Sequence, residues 1–385
     1  MSDSRETSKM VDSRTSGETE RRVLRRDPNP HLFRPVTFRS VTARNRVVLS
    51  PMCQYSGEDG LSNDWHYVHL GARAAGGAGI VFTEAVHLEP RGRITPWCLG
   101  LWNDEQRDRL ARIAAFVSER GAVPGIQLGH AGRKASVGRP WEGTRPIPVD
   151  QGGWPVVSAS DLPYAKGWPT PEPMTAADIE DAMTTLAAAT RRAREAGFRV
   201  IELHAAHGYL IHQFYSPLSN QRTDGYGGSF ENRIRFLMES VDAVRSEWPD
   251  DLPLFMRLSV SDWVEGGWTL EDSIRLGKML KDDGRVDLMD CSSGGNDPRQ
   301  QIPIHPGYQV PFAQRVREET GLATGAVGLI HGPDLAESVI ANGQADLVIL
   351  GRALLADPVW PLRAAVALKA QNVEWPVQYE RSNIF

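Results

Sequence analysis

Eight short, mostly apolar runs alternate along this chain with eight helical stretches, and that alternation limits the possible folds more than any other feature. The runs are Val47–Ser50, Gly79–Thr83, Val123–Leu128, Phe198–Leu203, Leu254–Leu258, Val286–Asp290, Leu322–Ala326 and Leu347–Leu350. Each is short enough for a strand, and most have the near-continuous apolar character of strands buried on both faces. Helical patterns fall near 65–76, 103–120, 175–196, 229–248, 269–283, 309–320 and 332–342, with one more near 358–370. A strand followed by a helix, repeated eight times, calls for parallel strands joined by helical crossovers. The pattern predicts an α/β fold, a single-domain (β/α)8 TIM barrel. A doubly wound sheet is the alternative, but it usually carries a Gly-rich loop after the first strand, where Ser50-Pro51-Met52-Cys53 stands instead. Thr175 before Asp178, Ser229 before Glu231 and Asn232, and Thr269 before Glu271 and Asp272 mark helix starts, because their hydroxyls accept from free backbone N–H groups.

The 385 residues divide into a leader, a barrel and a tail. Residues 1–28 are rich in Ser, Thr, Arg and Glu and hold too little apolar surface to offset ordering, so they read as a disordered leader. Asp3, Glu6, Asp12, Glu18 and Glu20 argue against a transit peptide, which is poor in acids. Residues 29–370 form the barrel domain, with 130–174 as a Gly-, Pro- and Trp-rich insertion after the third strand, expected to cap the barrel mouth. Residues 371–385 form a tail whose Trp375, Tyr379, Ile384 and Phe385 suggest docking on a neighbouring subunit. A net charge of −5 gives no reason to expect a nucleic-acid or anionic-membrane partner, so the expected ligand is small. No apolar run reaches about 18 residues and no signal-peptide core is present, which leaves the cytoplasm as the expected location. Cys53, Cys98 and Cys291 lie far apart, without the spacing of a cysteine-ligated iron–sulfur cluster or structural zinc site.

A barrel of this kind keeps its active site at the C-terminal ends of the strands, so the residues there form a candidate list. The fourth strand ends in His204-Ala205-Ala206-His207-Gly208-Tyr209, two imidazoles able to donate to one oxygen and a phenol able to deliver a proton nearby. Strand one ends in Ser50, Pro51, Met52, Cys53, Gln54 and Tyr55, strand two in Glu84 and Ala85, and strand three in Gln127 near His130. Strand five delivers Arg257, a guanidinium in a buried run that needs either a ligand or a structural acid as partner. Gly328 after strand seven, with Gly351 and Arg352 after strand eight, stand where such barrels often hold phosphate; a helix cap beside a surface arginine is the other reading. Trp154, Trp168, Trp263 and Trp268 either shape a substrate channel or simply pack.

Several of these segments together resemble the old yellow enzyme family of flavin-dependent ene-reductases, and more closely its thermophilic-like subclass. The resemblance rests on 50–56 (SPMCQYS), 127–134 (QLGHAGRK), 204–210 (HAAHGYL) and 224–229 (DGYGGS), with Cys53 and the terminal Gln378-Tyr379-Glu380-Arg381 pointing to the subclass; it covers residues 31–382. It implies FMN across the barrel mouth, held by Ser50, Pro51, Met52, Cys53, Ala85, Gln127, Arg257, Gly328, Gly351 and Arg352, with the last three at the phosphate. Arg257 would set positive charge by the N1/O2 edge, Gln127 would donate to the pyrimidine edge, and Cys53 would sit near N5 and O4. Tyr55, His204 and His207 would bind substrate, and Tyr209 would protonate it. NADPH or NADH would reduce the flavin and leave, and an electron-poor alkene would take its place, a ping-pong cycle. Arg381 would reach a neighbouring subunit's site, making a homodimer or homotetramer the functional unit. The leader lies outside the resemblance, and Gln54 stands where family members vary.

Three other functions are compatible with such a chain: a flavin barrel acting chiefly on nitro or nitrate-ester compounds, a flavin-binding protein without turnover, and a metal-dependent barrel hydrolase or lyase using His204 and His207, with Glu202 or His130 as a further ligand. The spacing of that pair is not the H-E-x-x-H zinc signature, and no metal is expected. Glu202, next to Leu203 on the same strand, is expected to have no need to face the site.

Overall fold

A computed structural model describes residues 29–382. The expected leader, residues 1–28, lies outside the described residues, as do Ile384 and Phe385 of the tail. Strands β1 (Val47–Leu49), β2 (Ile80–His87), β3 (Val123–Gly129), β4 (Val200–Ala205), β5 (Leu254–Ser259), β6 (Leu288–Ser292), β7 (Ala323–Ala326) and β8 (Leu347–Leu350) close a parallel barrel in sequential order. Helices α1 (Asp64–Ala75), α2 (Asp104–Glu119), α3 (Ala176–Glu195), α4 (Arg235–Arg245), α5 (Leu270–Asp283), α6 (Val310–Thr320), α7 (Pro333–Ala341) and α8 (Trp360–Ala367) follow the strands in turn. The (β/α)8 barrel is therefore present, with every strand where the apolar runs placed it. The helical pattern at 229–248 divides into Phe230–Arg233 and α4, because Ile234 between them has ψ near −7°, far from the helical value of about −42°. Asn63, Asn103, Thr175 and Thr269 each accept from the backbone N–H of the third helical residue or its neighbour, satisfying the first turns of α1, α2, α3 and α5.

Period-two alternation divides each strand between the outer helices and the barrel lumen. Ile201 and Leu203 join the core that packs the helices, whereas Glu202 and His204 share the other face. Adjacent strands pair Gln127 with Glu202, His204 with Arg257, and Arg257 with Asp290. This register gathers the polar residues into one layer near the barrel mouth. At the opposite end the antiparallel hairpin Val36–Phe38 and Val41–Ala43 packs Phe38 edge-on against Phe255, ring centroids 5.0 Å apart.

The segment 130–174 contains short 3₁₀ turns and a two-stranded parallel pair, Val157–Ser158 with Glu172–Pro173. Its Ala131, Ala135, Val137 and Val156 form a second, smaller apolar cluster with Ile94 and Cys98, against which Cys53, Tyr55, Trp154, Trp168 and Tyr209 pack. No helix among the described residues is long and apolar enough to cross a membrane.

Candidate active site

The end of β4 makes the sharpest turn in the site. His207 at φ +59° and Gly208 at φ +74° are both left-handed, which turns the chain from the strand into the short helix Leu210–Tyr215. Only glycine fits the second position, since a Cβ there would lie 2.3 Å from the Gly295 carbonyl oxygen. The turn is held from both sides: His207 N–H donates to Ser259 Oγ at 2.8 Å, and His207 Nε2 lies 2.7 Å from Ser292 Oγ. The result is a compact triad of rings. The His204 ring stands perpendicular to those of His207 and Tyr209, with centroids 5.2 and 4.9 Å away.

Burial sets the protonation of all three. It holds both imidazoles well below the ordinary histidine range, helped by neighbouring positive charge from Arg257, and it pushes the Tyr209 phenol well above its usual value. His204 Nδ1 accepts the Ala206 N–H at 3.3 Å, so the ring proton belongs on Nε2 and is free to be donated. Two neutral imidazoles and a protonated phenol thus share one wall.

Behind this wall lies a network of buried acids. Arg257 Nε is 2.6 Å from Asp290 Oδ2, and its Nη2 donates to Ser50 Oγ at 2.9 Å. The guanidinium also borders the mouth cavity, so Arg257 has a structural acid and in addition lines open space. Gln127 Nε2 donates to Glu202 Oε1 at 2.8 Å. Glu202 is fully buried on the lumenal face, contrary to expectation, because residues two apart on a strand share a side and His204 faces the mouth. Burial, with the charge of Asp290, raises the Glu202 carboxyl to about 8. No motif marks Asp290 or Glu202 for these contacts; an acid inside an apolar strand is the signal the sequence offers for each.

Several of the remaining predicted residues line two cavities. A cavity of about 240 Å³ is lined by Ser50, Met52, Arg257, Gly328, Gly351 and Arg352, together with His207 and Ser292. Gly328 at φ +127° adopts a conformation that side chains rarely take. Arg352 starts the helix after β8, and its guanidinium makes no hydrogen bond or ion pair with the described residues. Free glycine backbone and an unpaired arginine at the ends of β7 and β8 suit a phosphate, and Arg257 suits an anionic ring edge. The residues present therefore fit a flavin mononucleotide.

The second space, about 200 Å³, is lined by Tyr55, Tyr209, Lys134, Tyr164 and Trp168. Pro51, Cys53, Ala85 and Gln127 do not line the first cavity. Ala85 pairs with Gln127 across β2 and β3, and Cys53 lies beside the Ala85 backbone, its thiol held well above the ordinary range by its hydrogen bond with Cys98 and by burial. Trp168 lines the second space, whereas Trp268 is buried in the core and donates to Ser273 Oγ at 2.6 Å. Arg381 is exposed on the closing 3₁₀ turn Val377–Ser382 and makes no hydrogen bond or ion pair with mouth residues. No three His, Cys, Asp or Glu side chains among the described residues are grouped to hold a metal ion.

The model of the NADH:flavin oxidoreductase / NADH oxidase family matches residues 31–371. The chain belongs to that family. An NADPH dehydrogenase of Geobacillus thermodenitrificans is 48% identical over 355 residues, covering 92% of this chain and 98% of the relative. One from Bacillus subtilis is 45% identical over 352 residues, covering 91% of this chain and 98% of the relative. Among solved structures, morphinone reductase superposes with a TM-score of 0.74 at 26% identity, covering 91% of this chain and 92% of that one. A 2-naphthoyl-CoA reductase in complex with 2-naphthoyl-CoA gives a TM-score of 0.80 at 27% identity, covering 88% of this chain but 52% of that one. Like its family, the protein is an FMN-dependent oxidoreductase of the old yellow enzyme type that draws on NAD(P)H.

Proposed function

We propose that the protein reduces the C=C bond of electron-poor alkenes, with an α,β-unsaturated carbonyl or nitro compound bound against the wall made by His204, His207 and Tyr209. The observation that carries this reading is the clustering of three ring donors at the end of β4, with His204 central at 5.2 and 4.9 Å from the other rings. A bound FMN would supply the two-electron chemistry, carrying hydride from NAD(P)H to the alkene in a ping-pong cycle. His204 donates from Nε2 to the activating oxygen, and His207 does so from Nδ1 when the Ser292 hydroxyl donates to its Nε2. These donors stabilise the negative charge that develops on that oxygen, in a site where burial keeps water from competing. Tyr209, still protonated at neutral pH, would supply the proton to the α-carbon.

Ser50, Pro51, Met52, Cys53, Ala85, Gln127, Arg257, Gly328, Gly351 and Arg352 are assigned to the cofactor in this reading. Arg257 offers positive charge to the ring edge while Asp290 and Ser50 fix its orientation. Tyr55 closes the substrate space beside Tyr209. Segment 130–174 is the cap of that space, and Arg381 completes the site of a neighbouring subunit in a homodimer or homotetramer. Single-turnover oxidation of the reduced enzyme by 2-cyclohexenone tests the assignment. Replacing His204 or His207 by Ala should slow it by about two to three powers of ten, the usual cost of losing one such donor. Tyr209→Phe should slow it less if water can supply the proton. Equal and small effects at all three positions would refute the assignment.

A further inference from the structure

Among the described residues Lys134 is the one ammonium lining the space beside Tyr55 and Tyr209. It ends the 3₁₀ turn Gly132–Lys134 after β3, and its Nζ donates to the carbonyl oxygens of His207 at 2.8 Å and Gly295 at 2.7 Å. Those carbonyls belong to different loops, one after β4 and one after β6, and the loops touch with no room between them. A Cβ on Gly208 would strike Gly295, and a Cβ on Gly295 would come within 2.6 Å of the His207 backbone. Without a cation between them, the two oxygens would be buried dipoles facing each other with no donor. Among the described residues Lys134 has no carboxylate partner; the rings of Tyr164 and Tyr209 stand 4.6 and 5.2 Å from Nζ.

We propose that Lys134 is a positioning residue: its ammonium, clamped between the His207 and Gly295 carbonyls, holds the left-handed His207–Gly208 turn that presents His207 and Tyr209 to the substrate. The proposal rests on the alkene-reduction reading above. A non-glycine residue in a left-handed conformation persists only where its surroundings over-determine it, and Lys134 supplies two of the charge-assisted bonds that do so. Neighbouring Arg133 works on the same joint, donating to the Leu162 and Asn296 carbonyl oxygens at 3.1 and 2.8 Å.

The clamp makes turnover depend on pH. Burial, with the charge of Arg133, lowers the Lys134 ammonium from its ordinary range near 10.5 to about 7. Its charge is therefore complete below pH 7 and is lost as pH rises through that value. The other groups facing it do not titrate there. His204 and His207 are neutral throughout; Tyr55, Tyr164 and Tyr209 stay protonated; Arg133, lowered to about 10, stays charged; and Asp297, held low by its hydrogen bond from Arg299, stays ionised.

The test uses holoenzyme reduced by dithionite, so that no nicotinamide is involved, and follows flavin reoxidation by 2-cyclohexenone from pH 6 to 9. The limiting rate of the wild type should fall about fivefold across a midpoint near pH 7, an effect expected when charge-assisted bonds become neutral ones. Lys134→Met should be about tenfold slower at pH 6 and lack the fall centred near pH 7, with unchanged flavin affinity as the check on folding. Lys134→Arg, which keeps the charge, should recover most of the rate and remove the fall. A pH-independent wild type, a Lys134→Met that matches the wild type, or a loss confined to half-saturation with the limiting rate intact would overturn the inference. If the wild type is not reoxidised at all, the alkene reading fails instead.

Discussion

Burial disfavours charge on His204, His207 and Tyr209, which leaves each imidazole one N–H and Tyr209 its O–H to donate at neutral pH, and the same burial keeps the Glu202 carboxyl protonated. The Glu202 carboxyl, raised to about 8 against an ordinary value of about 4.5, stays protonated in the folded protein over a range where the unfolded chain has released its proton. Between those values the folded state binds more protons, so stability falls as pH rises from about 4.5 to 8. Glu202→Gln removes this dependence while keeping an oxygen for the Gln127 amide. The variant should melt near the wild-type temperature at pH 5 and above it at pH 8. A melting difference that does not change with pH would show that Glu202 is ionised in the folded protein. Among single residues, the sequence made the donors legible because histidine and tyrosine at a strand end are conspicuous. Glu202 and Asp290 were harder to read, since their partners Gln127 and Arg257 lie on neighbouring strands and are chosen by barrel register.

At the scale of elements, all eight strands and the helices between them were readable from periodicity, because each strand is buried on both faces and each helix on one. The N-terminal hairpin was overlooked although Val36-Thr37-Phe38 and Val41-Thr42-Ala43 alternate as strands should. Its turn uses Arg39 at φ +51° in place of the glycine or asparagine that marks such turns. The β7–β8 corner makes a prediction of its own. If Arg352 and the glycine backbone at 328 and 351 bind the phosphate, Arg352→Ala should weaken FMN by about tenfold or more and leave riboflavin affinity unchanged, as expected for loss of a charge-assisted bond. Titration of apoprotein with both flavins decides it, and an equal loss for the two would move the phosphate elsewhere. The cap of α5 offers a simpler check: Thr269 Oγ1 accepts the Asp272 N–H at 3.2 Å, and Thr269→Ala should cost about 1 kcal/mol in denaturant unfolding.

For the whole molecule, the barrel gathers side chains from β1, β3, β4, β5, β7 and β8 and from the turn after β3 into one mouth, an arrangement that no single segment encodes. The exposed tail turn with Tyr379 and Arg381 makes no contribution to the mouth of its own subunit. If Arg381 completes a neighbouring site, sedimentation should show an oligomer, and Arg381→Ala should weaken saturation with alkene several-fold at unchanged flavin content; a fully active monomer would refute that role. The central claim, that the neutral donor wall serves alkene reduction by a flavin, is tested most directly by one anaerobic experiment. NADPH is added to flavin-loaded enzyme in stoichiometric amount, and 2-cyclohexenone follows. The account predicts that the flavin absorbance bleaches and then returns with formation of one equivalent of cyclohexanone. A flavin that bleaches and stays reduced with this and every other electron-poor alkene would contradict it.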